Sequence, residues 1–144
     1  KVFRRGEFLI GYTSSFRMGQ LLQYQLEVEP QDQEDDYAYV VGVFAEAVRK
    51  LLKEHGFSKV DSNREEGGSF LVGYRGRLYE IQSDFSVLEF VEDYAVVGCG
   101  DAHALGAIAA MELEPPATRI RNALFIAARF NIGVAGPFTV MELE

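Results

Sequence analysis

At 144 residues the chain has the length of a single domain, 1–144, with enough material to bury a sizeable core. It is 48% hydrophobic and 25% charged, as ordinary soluble globular proteins are, and no apolar run approaches the ~20 residues of a membrane helix. The net charge of −8 gathers in "EVEPQDQEDD" (27–36) and in the final "MELE", so no basic stripe exists to neutralise phosphates and nonspecific nucleic-acid binding is excluded.

The chain opens on Lys1 and moves straight into strand-like sequence. "KVFRRGEFLIGY" has basic residues but lacks the small-residue cleavage site of a signal peptide. "EFLIGYT" (7–13) is apolar and rich in strand formers, and it ends in Thr13-Ser14-Ser15, residues that cap helices well. A helix follows over "FRMGQLLQYQLEVE" (16–29), with Met18, Leu21, Leu22 and Leu26 on one side. "PQDQEDD" reads as a solvated loop. Over 37–55 the spacing of Val40, Phe44, Val48, Leu51 and Leu52 marks an amphipathic helix, stopped by Gly56 with Lys53 and His55 in its last turn.

Strand signals come next. The spans 69–74 and 77–82 predict a hairpin around a tight Arg75-Gly76 turn, followed by a short extended stretch over 86–90. The arginines flanking that turn, Arg75 and Arg77, read as a solvated tip. "YAVVG" (94–98) predicts a buried strand. A helix of small residues covers 101–113 and ends at Glu114-Pro115-Pro116, which cannot continue it. Thr118 is placed to cap a last helix, "RIRNALFIAARFNI", and "PFTVMEL" (137–143) predicts a closing strand. The order is β-α-α-β-β-β-α-α-β with no internal repeat. Helices in pairs and strands in runs predict an α+β layered fold rather than an alternating Rossmann arrangement.

The chemistry concentrates in "YAVVGCGDAHALGAIAAM" (94–111), where an apolar strand passes through Gly-Cys-Gly into a helix. The one cysteine, Cys99, excludes an internal disulfide framework and makes the cytoplasm the expected compartment. A strand-to-helix corner presents a side chain and free N–H groups at one point, as nucleophile-bearing turns do. As a nucleophile Cys99 would need a base, and His103 stands four residues on, with Asp101 and Asp84 as orienting acids. As a small buried turn residue it would need nothing. The two glycines before the helix also suit an anion, although neither a G-x-G-x-x-G spacing nor a P-loop lysine is present. Two histidines and one cysteine in this arrangement form no recognisable zinc site.

Three ordered stretches carry a more specific signal: "KVFRRGEFLIGYTSSFRMGQLL", "YAVVGCGDAHALGAIAAM" and "ALFIAARFNIGVAGPFTVMEL". Together they resemble the HslV-type peptidases, relatives of proteasome β-subunits among the N-terminal-nucleophile hydrolases, over nearly the whole chain. The hairpin "LVGYRGRLYEIQSDFSVLEF" resembles that family's central strands. The resemblance implies a four-layer α-β-β-α sandwich. It also implies an N-terminal threonine whose hydroxyl attacks the peptide carbonyl while its own α-amine serves as base.

Carried over residue by residue, Lys1 matches the family's lysine, whose positive charge disfavours protonation of that amine. Ser14 matches the position where backbone N–H groups form an oxyanion hole. Cys99 stands where the family has the first serine of a Gly-Ser-Gly turn, which makes it an accessory group and not the nucleophile. Ala128, Asn131 and Val134 match a loop whose backbone carbonyls hold a monovalent cation; the chemistry itself requires no cofactor. The family's threonine lies upstream of its lysine, so the resemblance places the nucleophile, and the first hairpin that bears it, before Lys1. The implied partners are further copies of the chain in a homo-oligomeric ring, an AAA+ ATPase unfoldase and a peptide or unfolded-protein substrate. Two other readings remain at this point: a catalytically inactive proteasome-fold scaffold, and a cysteine hydrolase using Cys99 with His103.

Overall fold

The computed structural model describes residues 1–61 and 64–143. Strands β1 (Val2–Arg5) and β2 (Phe8–Tyr12) form a hairpin across a two-residue turn in which Gly6 takes a φ of +58°, a conformation natural to glycine. A short hairpin of β3 (Lys59–Asp61) and β4 (Arg64–Glu66) stands apart as its own sheet. Strands β5 (Phe70–Tyr74), β6 (Arg77–Ile81) and β7 (Val87–Glu89) complete a five-stranded antiparallel sheet of order β1-β2-β5-β6-β7. The expected tight turn is present, with Arg75 at φ +47° and Gly76 at φ +75°, the two left-handed residues of a type I′ hairpin.

The seam between β2 and β5 joins two nearly identical pentapeptides, FLIGY and FLVGY. They pair so that Ile10 meets Val72 at the centre, while Gly11 faces Leu71 and Gly73 faces Leu9.

Helix α1 (Phe16–Tyr24) begins where the Ser15 hydroxyl accepts the Met18 N–H at 3.1 Å. Helix α2 starts with Asp36–Tyr39, passes through a π-helical turn over Val40–Phe44 and runs on over Ala45–Glu54. The π-turn falls on Val40, Val41, Gly42 and Val43, all weak helix formers. Both helices cover one face of the sheet. Phe3, Phe8, Ile10, Val72, Tyr74 and Tyr79 point into the core they share with Met18, Leu22, Phe44 and Leu52. Burial pushes the phenols of Tyr39 and Tyr79 up to about 12.

A second, smaller core lies between α3 (Asp101–Ala110) and α4 (Pro116–Phe130), where Ala104 and Ile108 meet Ala123 and Ala127. Small side chains let these helices approach closely. Arg119, 7% exposed, ties this layer together. It donates to the Ile108 carbonyl from Nε at 3.3 Å and from a terminal nitrogen at 3.0 Å, and its guanidinium stands 5.3 Å over the Tyr94 ring. Replacing Arg119 by alanine leaves the Ile108 carbonyl with the Met111 N–H alone, at 3.3 Å, and removes packed atoms. The expected cost is about 2–3 kcal/mol, read from the midpoint of urea unfolding.

The architecture is α+β, as expected, and several boundaries differ. The first helix stops at Tyr24 rather than at 29, and the small-residue helix stops at Ala110 rather than at 113. Thr118 is not a cap: the last helix starts three residues earlier, with Pro115 at the N-cap and Pro116 at the first helical position, which proline's fixed φ suits. The strands expected at 94–98 and 137–143 are not formed. A strand needs a ladder partner, and both segments border open space instead. No helix among the described residues is long and apolar enough to cross a membrane.

Candidate functional site

Both sheet faces are largely apolar, an arrangement found where strands are covered on each side. Helices α1 and α2 cover one face. From the other, Val2, Leu9, Gly11 and Leu71 look across a cavity of about 580 Å³ toward α3 and α4. The segments 95–98 and 137–141 form its flanks. On the same sheet face Glu80 lies between Leu71 and Leu88 in register, and burial raises its carboxyl above the usual range.

One end of this cavity gathers Lys1, Thr13, Gly98, Cys99 and Asp101. The β1–β2 ladder extends by one bond, Tyr12 N–H to the Lys1 carbonyl at 3.0 Å, which fixes Lys1 at the strand end. The strand then turns sharply: Ser15 N–H donates to the Thr13 carbonyl at 2.8 Å around Ser14, whose φ is +66°. That conformation is unusual for a residue with a Cβ and marks local strain. Among the described residues no acceptor takes the Ser14 N–H. Gly98, at φ +120°, passes so close that a Cβ there would stand 3.2 Å from the Thr13 hydroxyl. The β2 end and the Gly98-Cys99 turn are thereby in contact, although 85 residues separate Thr13 from Gly98.

Cys99 is exposed, so it is not the buried turn residue that one sequence reading allowed. Its carbonyl accepts from the Asn131 side-chain amide at 2.7 Å, and its sulfur occupies the space a Cβ on Gly133 would need. Asn131 also accepts the Gly133 N–H at 2.8 Å, so one side chain fastens the end of α4 to the Cys99 turn. Gly100 completes the corner: a Cβ there would come within 2.6 Å of the Val134 side chain.

The pairing of Cys99 with His103 is not formed. The His103 ring lies against Phe130, centroids 5.5 Å apart, and no hydrogen bond joins it to Cys99 among the described residues. Asp101 accepts the Ala102 N–H of its own helix, and Asp84 is engaged by the amide and hydroxyl of Ser86 in the β6–β7 turn. The arginine tip is solvated but not free, since Arg75 meets Asp36 at 3.5 Å and Arg77 meets Glu89 at 2.5 Å. Of the proposed cation ligands, the Asn131 carbonyl accepts the Val134 N–H at 3.1 Å, leaving it one lone pair. Among the described residues no cluster of histidine, cysteine and acidic side chains could hold a metal ion.

No protein-family model and no curated protein matches the chain. Solved structures do. Thiobacillus denitrificans BPH in complex with epoxomicin superposes with a TM-score of 0.73 at 25% identity, over 100% of this chain and 80% of that one. A second structure of Thiobacillus denitrificans BPH gives 0.72 at 24% identity over the same shares. Eukaryotic HslV from Trypanosoma brucei gives 0.60 at 21% identity, over 94% of this chain and 75% of that one. The fold is HslV-type, that of proteasome β-like subunits.

Within this HslV-type fold, Lys1 and Cys99, which stand far apart in sequence, line the same cavity, and Ser14 sits one residue beyond its rim. Sequence reasoning missed the fastening by Asn131, which sits 32 residues from Cys99 and gives no local signal. It also missed that Thr13, and not Ser14, lines the cavity. The alternation along β2 carried that information, because Leu9, Gly11 and Thr13 share the face opposite Phe8 and Ile10.

Proposed function

We propose that this chain is a peptidase subunit of a proteasome-type proteolytic complex, cleaving peptide bonds with an N-terminal threonine carried on a segment that precedes Lys1. The observation that carries the reading is the HslV-type fold, matched over the whole length of the chain by a structure at 25% identity. About a fifth of that neighbour's chain has no counterpart here. The cavity supports the same reading, since it separates the sheet from α3 and α4 and is flanked by two segments without strand partners. A hairpin entering there would pair with them, close a second sheet and complete a four-layer α-β-β-α sandwich.

The chemistry then divides among named groups. The threonine hydroxyl oxygen attacks the scissile carbonyl and its α-amine takes the proton. The Lys1 ammonium disfavours protonation of that amine beforehand. The Ser14 N–H, held in its strained turn without an acceptor, receives the developing oxyanion. The amine passes its proton to the leaving nitrogen as the C–N bond breaks, and water hydrolyses the resulting ester. Cys99 borders the site as an accessory donor. Ala128, Asn131 and Val134 would hold a monovalent cation through their carbonyls, steadying the loop that Asn131 fastens to Cys99. The complex would be a cytoplasmic homo-oligomeric ring fed unfolded protein by an AAA+ ATPase, and exposed Leu105, Phe125 and Phe130 on the α3–α4 layer suit such subunit contacts.

Intact mass and N-terminal sequencing of the purified native protein test this reading, together with hydrolysis of a fluorogenic peptide. A mature threonine upstream of Lys1 with measurable hydrolysis is expected. A native terminus at Lys1 without hydrolysis leaves only a proteasome-fold scaffold. Cys99→Ala separates the mechanisms further: the threonine mechanism predicts a loss of no more than about tenfold in kcat, set by one accessory hydrogen bond of about 1 kcal/mol or slightly more. Complete loss would point to cysteine chemistry instead.

A further inference from the structure

Phe16 is 64% exposed at the first position of α1, where a helix start needs no aromatic side chain. Its contacts are nevertheless specific. The Lys1 Nζ stands 5.1 Å from the centroid of the Phe16 ring. The Tyr12 ring meets Phe16 edge-on, 6.4 Å between centroids and 81° between planes. Tyr12 in turn lies against α1 at Gly19, where a Cβ would come within 2.2 Å of the ring carbons. A glycine is therefore needed to seat Tyr12, Tyr12 backs Phe16, and Phe16 faces the ammonium.

We propose that Phe16, steadied by Tyr12 on Gly19, is a positioning residue that holds the Lys1 ammonium at the start of β1, where Lys1 borders the cavity. The proposal rests on the role given to Lys1 above. A lysine head on a four-carbon stem samples many rotamers unless something fixes it. A carboxylate would fix it but would also cancel the charge felt by neighbouring groups. A ring face attracts the cation through its quadrupole and leaves the charge whole. Consistent with this division, no carboxylate pairs with Lys1 among the described residues.

The test uses protein labelled with ¹³C-lysine, with the Lys1 resonances assigned by their loss in Lys1→Arg. Ring current should displace the Lys1 ε-methylene protons upfield of those of Lys50, Lys53 and Lys59. Phe16→Leu should return them to that range, and Phe16→Trp should keep them displaced. Peptide hydrolysis should follow: Phe16→Leu lowers kcat about 2–5-fold with KM unchanged, the size of an exposed cation–π contact, and Phe16→Trp restores it. Unshifted Lys1 protons in the wild type overturn the proposal, as does an unchanged kcat in Phe16→Leu. If the wild type cleaves no peptide while the shift is intact, the peptidase reading falls and the ring-held ammonium stands.

Discussion

Lys1→Ala should lower kcat for peptide hydrolysis by about 10²–10⁴-fold, the range expected when a group that governs proton transfer is removed. Stability should change by less than about 0.5 kcal/mol, because the Lys1 side chain is exposed and the bond its carbonyl accepts from Tyr12 N–H is kept. Steady-state kinetics paired with a thermal melt checks both halves. Lys1→Arg should fall between, since a planar guanidinium keeps the charge but spreads it over a different shape. Hydrolysis that survives the alanine substitution would remove Lys1 from the mechanism. The much smaller effect expected for Phe16→Leu orders the two residues: one supplies the charge, the other places it.

Phe8→Ala should destabilise the protein by about 3–5 kcal/mol, a large share of the 5–15 kcal/mol that holds a domain together. The Phe8 ring is 4.5 Å from Phe44 and 4.6 Å from Tyr74, with Tyr39 stacked at 6.4 Å, so it joins β2, β5 and α2 at one point. No neighbour can collapse into the space without losing a ring contact of its own. Denaturant unfolding monitored by tyrosine fluorescence reads the change. A cost below about 1.5 kcal/mol would mean that the cluster repacks, contrary to the interlocked geometry.

How much of this was legible in the sequence follows from where each signal is stored. Helix α2 and the β5–β6 hairpin write their periods and turn residues locally, so Val40, Phe44, Val48 and Gly56, or Arg75-Gly76, announce them. The strands expected at 94–98 and 137–143 have the right composition, but a ladder is a property of two segments, and apolar residues also line a cavity wall. Strands β3 and β4 escaped notice because "KVD" and "REE" contain almost no apolar alternation. At the site, the Gly98-Cys99-Gly100 corner stood out as glycine beside a single thiol. The Asn131 bond, the Tyr12 seat on Gly19 and the approach of Thr13 to Gly98 arise only when distant segments meet.

The matched pentapeptides at the β2–β5 seam have a consequence for how the protein must be handled. Each is part of a local hairpin, β1–β2 or β5–β6, that forms early, whereas their union closes a loop of more than fifty residues and comes late. Until then each hairpin exposes an edge whose best partner is also offered by every other molecule in solution. A β1–β2 hairpin from one chain fits the β5 edge of another in the same register, with glycine opposite leucine and isoleucine opposite valine. Refolding is therefore a competition between closing on itself and swapping hairpins with a neighbour, and protein concentration decides the winner.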